Sequence, residues 1–571
     1  MNILGLSFFY HDSAAALVQD GVVVACGEEE RFSRVKHDHG FPMLAIEFCL
    51  KRAGITIDEV DYVVFYEKPF VKFERILLST LKTFPKSWKV FRESMLTWLT
   101  DKLWVKSILK EKLKLDPKKI LFADHHMSHA AASYFCSPFE DSAILTVDGA
   151  GEWTTSTMGE GRGNKIQIKQ EMRFPHSIGL LYSAFTAFCG FEVNEGEYKL
   201  MGMSPYGKPK YVDKIKEVIK IGDDGSLWHD MRYFSYHYSP DSTLSPKFIE
   251  KFGPPRDPSR ADVHMDEYYA DMAASIQVVT EEILIKMANH LHKLTGSDNL
   301  CMAGGVALNC VANYKILQQT PFKRIYIQPA AGDDGGALGA AMWAWNDLLG
   351  NEKRFVMEHA YWGSEYSNGE VVDFLKKENI PYTEYDDQEK CSDFVVDKIV
   401  NENVLGWYTG RFEWGPRALG SRSIIADARS EKMKDVVNAK IKFREAFRPF
   451  APSCLMESVS DLFDVENPEE QYPTRFMLYV VQVKSDQIPA ITHVDNSGRC
   501  QGVVKEFAPQ YHRLIEKFGE ATGVPCILNT SFNLKGEPIV ETPRNAYNTF
   551  MRSGMDSLVY NNSIVVTKNG H

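Results

Sequence analysis

Residues 3–26, ILGLSFFYHDSAAALVQDGVVVAC, decide the fold that this sequence predicts. The stretch contains three apolar runs of strand length, at residues 3–8, 14–18 and 22–26. The polar residues HDS (11–13) and the turn residues QDG (19–21) separate them. Short apolar runs bounded by turn residues are typical of strands. The stretch therefore predicts a β-meander of three consecutive strands.

A second series of the same kind follows further along the chain. Its strand-like runs lie at residues 143–147, 154–158 and 166–168, separated by the loop DGAG (148–151) and the turn GRGN (161–164). Repetition of a whole supersecondary unit indicates duplication. We therefore predict two related lobes.

Each copy places an aspartate, Asp12 or Asp148, where a strand gives way to a loop of small residues. Such loops let backbone N–H groups approach phosphate oxygens, and two facing loops imply a nucleotide between two lobes. In this outline the chain resembles the superfamily of actin, hexokinase and Hsp70. The alternative is that the Asp-Gly sequences are ordinary hairpin turns.

Length and composition limit the class of protein. A chain of 571 residues is too long for one hydrophobic core, so at least two domains are expected. Apolar residues make up 44% and charged residues 25%, as in typical globular proteins. The formal net charge of −11 argues against a general nucleic-acid-binding protein. The ten cysteines include no Cys-x-x-Cys pair, which suits buried reduced thiols.

The N-terminal sequence MNILG lacks the basic region of a signal peptide, and no apolar run approaches membrane-spanning length. We therefore expect a cytoplasmic protein with neither a membrane nor a nucleic acid as a partner.

A polar segment at 346–358 interrupts the α/β pattern and marks the expected domain boundary. We predict a first domain over residues 1–350 and a smaller one over 351–571. Residues 70–120 are rich in Lys, Trp and Phe, and residues 84–113 are predicted to be helical. Such a basic and aromatic stretch either binds nucleic acid or forms a solvated amphipathic insertion, and the second interpretation is the commoner one. A long helix without Pro or Gly is predicted over 268–294.

A histidine cluster stands out in DHHMSHAAA (124–132), which is typical of a helix capped by Asp124. His125 and His129 are four residues apart and share one helix face, so two imidazoles can bind one ion, whereas His126 points elsewhere. A zinc protease is excluded, because the glutamate of His-Glu-x-x-His is missing. The remaining alternative is a capped helix whose histidines only form hydrogen bonds.

Carboxylates from elsewhere would have to complete a metal site. Asp148 and Asp333 are the best-placed candidates, since each lies in a loop of small residues. Neutral imidazole suits Fe, Zn, Ni or Cu. The residue types alone do not select among these metals.

A local excess of positive charge occupies residues 411–448, with ten Lys or Arg against five Asp or Glu. Its arginines are flanked by Gly, Pro and Phe rather than by a helical charge ladder, as expected of cations partly withdrawn into a pocket. Guanidinium groups match phosphate and carboxylate geometry. The alternative is a solvated basic face held by ion pairs. Further groups that fit a phosphate site are Arg499, Lys505, Asn529, Thr530, Ser531 and Arg552.

With these motifs the chain resembles the carbamoyltransferase family that includes nodulation, cephamycin and aminoglycoside-antibiotic carbamoylating enzymes. The first domain contributes HDSAAA (11–16), EEERF (28–32), HHMSH (125–129), KLMGMSPYG (199–207) and the Gly304-Gly305 turn. The second contributes GPRALGSRS (415–423), KFREAFRPF (442–450) and LNTSFN (528–533). The resemblance covers nearly the whole chain. It implies α/β architecture, with an actin-like two-lobed domain followed by a smaller YrdC-like α/β domain.

The resemblance also implies a two-step, ATP-dependent O-carbamoyl transfer. In the second domain, carbamoyl phosphate and ATP with Mg²⁺ would give carbamoyladenylate. The residues implied to bind these substrates are Arg417, Lys442, Arg444, Arg448, Arg499, Asn529, Thr530, Ser531 and Arg552.

In the first domain a metal ion, iron by resemblance with zinc as the alternative, would act on the carbamoyl group. Its expected ligands are His125, His129, Asp148 and Asp333. The expected nucleotide-binding residues there are Lys36, Gly149, Gly304, Gly305, Asn309 and Gly335. His11 is the candidate base for the acceptor hydroxyl. A structural histidine that caps its loop is the alternative.

Two other classes fit part of the sequence. An actin-like small-molecule kinase would use an aspartate base such as Asp12 or Asp148, and an ATP-dependent scaffold or chaperone would use the same fold. Both leave the basic second domain without a role. The expected acceptor is a hydroxylated small molecule, such as a sugar or a secondary metabolite of antibiotic biosynthesis. The sequence determines neither its identity nor whether the protein is a homodimer.

Overall fold

The computed structural model describes residues 1–259, 266–442 and 447–568. The chain divides into two compact units. The first comprises Met1–Val24, His39–Pro42 and Cys49–Val356, and the second comprises Ala25–Asp38, Met43–Phe48 and Met357–His571. The main crossing between units lies six residues beyond the predicted boundary at 350, and two short N-terminal segments cluster with the C-terminal half.

The first unit contains two five-stranded sheets of matching topology. The first sheet has the order β3-β2-β1-β4-β5. Its strands are β1 (Asn2–Ser7), β2 (Ala14–Gln19), β3 (Val22–Glu28), β4 (Tyr62–Phe65) and β5 (Ile120–Phe122). Strands β1 and β2 are antiparallel, whereas β4 and β5 follow in parallel with β1. Strands β1 and β2 are buried almost throughout, which explains their continuous apolar runs.

The second sheet repeats this plan with the order β8-β7-β6-β11-β12. Its strands are β6 (Asp141–Val147), β7 (Thr154–Arg162), β8 (Lys165–Arg173), β11 (Asn299–Ala303) and β12 (Arg324–Ile327). An antiparallel meander is again followed by two parallel strands. The repeated topology confirms the predicted duplication and the actin-like, two-lobed character of this domain. A small hairpin, β9 (Ile219–Ile221) and β10 (Leu227–His229), lies outside both sheets.

Among the described residues, twelve α-helices lie between Met43 and the end of the first unit. They are α2 (Met43–Ala53), α3 (Pro69–Lys82), α4 (Trp88–Thr100), α5 (Val105–Leu113), α6 (His125–Tyr134), α7 (Ile178–Phe188), α8 (Glu197–Met203), α9 (Val212–Lys216), α10 (Pro246–Phe252), α11 (Glu267–Thr295), α12 (Cys310–Gln319) and α13 (Gly335–Met342). The long predicted helix is confirmed as α11, which ends at Gly296 in the left-handed conformation.

The segment 84–113, predicted to be helical, contains two α-helices joined by a short turn. Helix α4 begins only at Trp88 and ends at Thr100, because Asp101 leaves the helical region at φ −126° and ψ −61°. A short 3₁₀ turn, Lys102–Trp104, then leads into α5. No helix in the described ranges is long and apolar enough to cross a bilayer.

Helix α13 packs closely because its sequence is rich in Gly and Ala. A Cβ atom on Gly339 would lie 1.8 Å from the Ser128 carbonyl oxygen of α6, and one on Gly5 would lie 1.8 Å from the Ala337 oxygen. Neither position has room for a side chain. Helix α13 is therefore held between β1 and α6, which fixes α6 relative to both sheets.

The second unit is built on an eight-stranded mixed sheet with the order β13-β22-β21-β14-β15-β20-β16-β19. Its strands are β13 (Thr383–Glu384), β14 (Leu405–Tyr408), β15 (Arg422–Asp427), β16 (Ala451–Leu455), β19 (Gln501–Val503), β20 (Cys526–Ser531), β21 (Ser557–Tyr560) and β22 (Ile564–Thr567). A separate pair is β17 (Val481–Gln482) and β18 (Ser497–Gly498).

Seven α-helices belong to the described part of this unit. They are α1 (Glu29–Ser33), α14 (Asn368–Lys377), α15 (Gln388–Val400), α16 (Lys432–Val437), α17 (Val459–Leu462), α18 (Pro509–Thr522) and α19 (Pro543–Arg552). Val395 of α15 and Leu514 and Phe518 of α18 share a buried cluster with Trp407 of the sheet. The unit is a smaller α/β domain, as the sequence predicts.

Candidate active site and metal centre

Four side chains of the first unit converge at the N-terminal end of α6. His125 and His129 lie on one face of this helix, and their Nε2 atoms are 3.2 Å apart. Asp148 follows β6 and places Oδ2 3.2 Å from His125 Nε2. Asp333 precedes α13 and places Oδ1 3.3 Å from His129 Nε2. The four residues named as metal ligands from the sequence are therefore brought together.

The electrostatics of this cluster favour a bound cation. Burial alone would lower the pKa of His125, but the carboxylates of Asp333, Asp148 and Glu67 outweigh it and raise that pKa to about 10. Burial opposes ionisation of Asp148, yet the neighbouring His125 and His129 hold its pKa well below the usual range. The pKa of Asp333 is lowered as well, against burial and the charge of Asp148. Two ionised carboxylates, the buried Asp333 and the partly buried Asp148, thus lie side by side.

The donor set fits a transition metal. One donor atom from each of the four residues lies within 4.8 Å of the other three. Ligands bound to one ion at about 2.0–2.2 Å lie roughly 3 to 3.5 Å apart, close to the spacing of these nitrogens and oxygens. Imidazole nitrogen with carboxylate oxygen suits Fe and Zn among others. The residues present can therefore hold the implied metal.

The backbone around the cluster fixes the positions of its side chains. A Cβ atom on Gly151 would lie 2.6 Å from His125 Cδ2, so only glycine leaves room for this imidazole. The Gly305 N–H donates to Asp148 Oδ1 at 3.1 Å, which orients the carboxylate and leaves Oδ2 for the histidines. The Gly304-Gly305 turn, predicted to bind nucleotide, thus also positions a candidate ligand.

The expected cap of α6 is not made by Asp124. This residue occupies the N-cap position, but its side chain makes no capping hydrogen bond and pairs with Lys68 at 2.8 Å. Instead Glu152 Oε1 accepts from the His125 N–H at 3.2 Å and from the Lys68 N–H at 2.7 Å. Burial raises the pKa of Glu152 to about 7. A distant carboxylate can serve the helix end because the loop after β6 folds back over it.

His126 points away from the cluster, as predicted. Its Nδ1 is 2.7 Å from Thr146 Oγ1 and its Nε2 is 3.0 Å from the Thr154 carbonyl oxygen. Burial, together with the charges of His125 and His129, lowers the pKa of His126 to about 3. This histidine is a neutral structural residue.

Sequence reasoning missed Glu67 and Lys72 beside the cluster. Glu67 Oε2 lies 3.7 Å from His125 Nδ1 and 2.6 Å from Lys72 Nζ, and both residues are buried. The signal was available, because Glu67 lies two residues after the apolar strand β4 and the carboxyl ends of parallel strands share one sheet edge. Lys72 was hidden in the stretch interpreted as a solvated insertion.

His11 lies in the loop between β1 and β2, with Nδ1 2.9 Å from Asp12 Oδ2. Burial alone would lower the pKa of His11, but Asp12, Asp333 and Asp148 raise it to about 9. The influence of both candidate ligands places His11 in the electrostatic field of the cluster. Its position is compatible with the base suggested from the sequence.

The remaining residues named for nucleotide binding in the first unit differ in surroundings. Gly149 has open space, since a Cβ atom there would meet only Leu180 Cδ2 at 3.9 Å. Asn309 caps α12 and exchanges hydrogen bonds with Gln277 at 3.1 Å. Gly335 permits close packing, because a Cβ atom would lie 1.9 Å from the Ala330 oxygen. Gly149 is thus the most open of these positions.

Lys36, named for the first domain, lies in the segment 25–38 of the second unit. Its Nζ atom is 3.2 Å from Glu30 Oε2. The same segment supports the basic loop, since Glu28 Oε1 accepts from the Gly415 N–H at 2.7 Å and Arg31 donates to the Gly415 oxygen at 2.7 Å. The motif EEERF therefore acts within the second unit.

Several basic and polar residues of the second unit gather along β20. Lys442 is buried and donates to Ser531 Oγ at 3.2 Å. Asn529 donates to the Ala418 oxygen at 3.1 Å, next to Arg417. The half-buried Arg417 has an Nε without a hydrogen-bond partner among the residues the structure describes. Asn529 and Ser531 are two apart on the strand and share one sheet face, which forms a polar surface next to a cation.

The other residues named for this site are less closely associated. Thr530 faces the opposite side of the sheet from its two neighbours. Arg552 is exposed at the end of α19 and pairs with Glu537 at 2.6 Å. Arg448 and Arg499 are half-buried. Arg444 lies outside the described residues.

Fold and site together define an enzyme of two parts, with a duplicated actin-like domain bearing a histidine–aspartate cluster and a smaller α/β domain bearing basic groups. Comparison with known families specifies the class. The model described as carbamoyltransferase N-terminus matches residues 2–342, and that described as carbamoyltransferase C-terminus matches residues 396–568. The chain belongs to the carbamoyltransferase family, which confirms the resemblance seen in its motifs.

Individual relatives agree with this assignment. The chain is 46% identical to an uncharacterized protein of Synechocystis, over 99% of this chain and 96% of that protein. It is 35% identical to the nodulation protein NolNO of Sinorhizobium fredii, over 98% of this chain and 79% of the relative. The 3'-hydroxymethylcephem-O-carbamoyltransferase of Streptomyces clavuligerus is 29% identical over 58% of this chain and 61% of its own length. O-carbamoyl transfer therefore occurs among the relatives.

Proposed function

We propose that this carbamoyltransferase uses ATP and carbamoyl phosphate to carbamoylate a hydroxyl group of a small molecule. The observation that carries the proposal is the convergence of His125, His129, Asp148 and Asp333 into one buried cluster. The O-carbamoyltransferase activity for which the Streptomyces relative is named supports a hydroxyl acceptor. A sugar or another secondary metabolite, as in antibiotic biosynthesis, is the acceptor class we propose.

The activation step belongs to the second unit. Carbamoyl phosphate, ATP and one water would give carbamoyladenylate, phosphate and pyrophosphate, with Mg²⁺ accompanying ATP. Arg417 and Lys442 are suited to stabilise the phosphate charges that develop, because preorganised cations act strongly in a site withdrawn from water. Asn529 and Ser531 would orient the bound anions through the shared face of β20.

The transfer step belongs to the first unit. His125, His129, Asp148 and Asp333 would hold the iron or zinc ion, which when bound supplies a Lewis acid that polarises the carbamoyl group. The acceptor oxygen attacks the carbamoyl carbon, and the bond from this carbon to the AMP oxygen breaks. The proton of the hydroxyl passes to His11.

His11 is suited to this role by the bond it makes to Asp12. Asp12 engages Nδ1, which leaves Nε2 as the nitrogen that accepts the proton. Neutralising Asp148 and Asp333 would remove two of the three carboxylates that raise the pKa of His11. The pKa of His11 would then lie closer to physiological pH, so that a larger fraction of the imidazole is neutral and able to accept a proton.

A product assay tests the proposal. The full chain is incubated with ATP, Mg²⁺ and carbamoyl phosphate, and the phosphorus-containing products are separated. We expect pyrophosphate whose formation depends on carbamoyl phosphate. If ADP is released instead, at a rate that does not depend on carbamoyl phosphate, the protein is a kinase or a chaperone and the proposal is contradicted. Hydroxylated metabolites are then screened for a mass gain of one carbamoyl group.

We expect the substitution Asp12→Asn to shift the pH dependence of transfer. Asp12 raises the pKa of His11, so its loss lowers that pKa, and the rise of the transfer rate with pH moves to lower pH. The profile of transfer rate against pH, measured with saturating substrates for both proteins, shows the shift. An unchanged profile would mean that His11 is not the titrating base.

A further inference from the structure

Helix α3 has one face against the protein and an apolar face toward solvent. Lys72 and Thr80 are buried on the inner side. Phe70, Leu78 and Leu81 are exposed, Phe70 to 68%. Their spacings of eight and three residues put all three on one side of a helix. An amphipathic helix that turns its apolar side to water requires an explanation.

Helix α4 repeats the arrangement with the same spacing. Trp88, Leu96 and Leu99 are exposed, whereas Trp98 is buried and lies 6.0 Å from the ring of Phe73 in α3. Of 22 large apolar side chains exposed among the described residues, eight lie between 70 and 104. The exposed apolar surface of the molecule is therefore concentrated on this helical hairpin, which we call the α3–α4 surface (residues 69–104).

The same part of the chain is strongly basic. Residues 69–104 carry seven Lys or Arg against three Asp or Glu, a net charge of +4 in a chain of −11. Lys82, Arg92 and Lys106 are exposed and form no ion pair with any residue that the structure describes. Cations thus flank the exposed Phe, Trp and Leu side chains without being neutralised by the protein.

We propose that the α3–α4 surface docks on an anionic lipid membrane. A helix with Trp, Phe and Leu on one face and flanking Lys and Arg lies in the interfacial plane, where apolar burial and attraction to anionic headgroups add. The proposal departs from the expectation of no membrane partner, which rested on the lack of an apolar run of membrane-spanning length.

Charge selects this occupant over a second copy of the chain. Two identical surfaces of this kind would bring like charges together, which opposes a two-fold symmetric interface. Nucleic acid would pair with the cations but offers no apolar surface to bury the aliphatic side chains of Leu78, Leu81, Leu96 and Leu99. An anionic lipid membrane can both bury the apolar side chains and pair with the cations of the α3–α4 surface.

Vesicle sedimentation with the full chain tests the proposal. We expect the protein to sediment with vesicles of phosphatidylcholine and phosphatidylglycerol, less with phosphatidylcholine alone, and less as salt rises. The variant Trp88→Ser with Leu96→Ser should lose about tenfold or more in partitioning, because two interfacial side chains are removed. Lys82→Gln and Arg92→Gln should each lose about fivefold, since one cation near an anionic surface contributes about 1 kcal/mol.

Matched controls are available at exposed positions outside this surface. Trp228→Ser and Lys432→Gln should leave partitioning unchanged, and thermal unfolding should be the same for all variants because every substituted side chain is exposed. Absence of sedimentation with anionic vesicles would overturn the proposal. So would sedimentation-velocity evidence that the wild type self-associates and that Trp88→Ser with Leu96→Ser abolishes this, since the surface would then bind a second copy.

Discussion

Replacement of His125 by alanine is expected to abolish binding of the proposed metal ion by the purified protein. His125 is the central member of the cluster, with Nε2 3.2 Å from both His129 Nε2 and Asp148 Oδ2 and 3.6 Å from Asp333 Oδ1. Loss of residues that only support a ligand usually costs 10- to 100-fold in metal affinity, so loss of a ligand should cost more than about 100-fold. Elemental analysis and chelator competition measure the change.

The neighbouring histidine provides the control for this experiment. His126→Gln alters a buried residue of the same helix whose hydrogen bonds go to Thr146 and Thr154 rather than into the cluster. We expect it to retain metal, whereas Asp333→Asn should lose it. Metal content in His125→Ala equal to that of the wild type, with both proteins folded by circular dichroism, would contradict the proposed site.

The convergence of the two histidines and two aspartates was predictable because local and topological rules agree there. Histidines four apart must share a helix face, which the Nε2 distance of 3.2 Å confirms. Asp148 follows a strand that is parallel to β11, and the loop after β12 carries Asp333, so both carboxylates emerge at the same sheet edge. Strand ends of a duplicated fold thus bring together residues far apart in sequence.

Contacts that depend on which part of the protein a loop folds back onto were not predictable in this way. Glu152 rather than Asp124 receives the first N–H of α6, because the loop after β6 folds back over the helix end. Asn309 was named for nucleotide binding, yet its side chain is used by α12 and Gln277. Residue type indicates that such a group forms hydrogen bonds but does not indicate with what.

The N-terminal motif EEERF shows that the sequence also did not reveal to which unit a segment belongs. The motif was assigned to the first domain because it lies within the predicted range 1–350, and Lys36 after it was named for the nucleotide there. The structure places residues 25–38 in the second unit, where Glu28 and Arg31 hold Gly415 from both sides. Position along a chain is a poor guide to domain membership when a segment crosses over.

Replacing His11 by asparagine is expected to separate the two proposed steps. Asparagine keeps a polar side chain near Asp12 but cannot take the hydroxyl proton, so carbamoyl transfer should fall about 10²- to 10⁴-fold. Pyrophosphate formation should persist, because the groups proposed for activation lie in the second unit. Transfer is measured with an acceptor found by the carbamoyl mass gain, and activation by pyrophosphate release in parallel samples.

The variant Arg417→Gln tests the same division from the side of the activation step. Arg417→Gln removes a guanidinium whose Nε has no hydrogen-bond partner within the described structure, so folding should be little affected while adenylate formation is lost. Carbamoyladenylate supplied from outside should then still be used by Arg417→Gln but not by His11→Asn. Equal loss of both steps in either variant would contradict the division of labour, because each unit is proposed to perform one reaction and to hold the groups for that reaction alone.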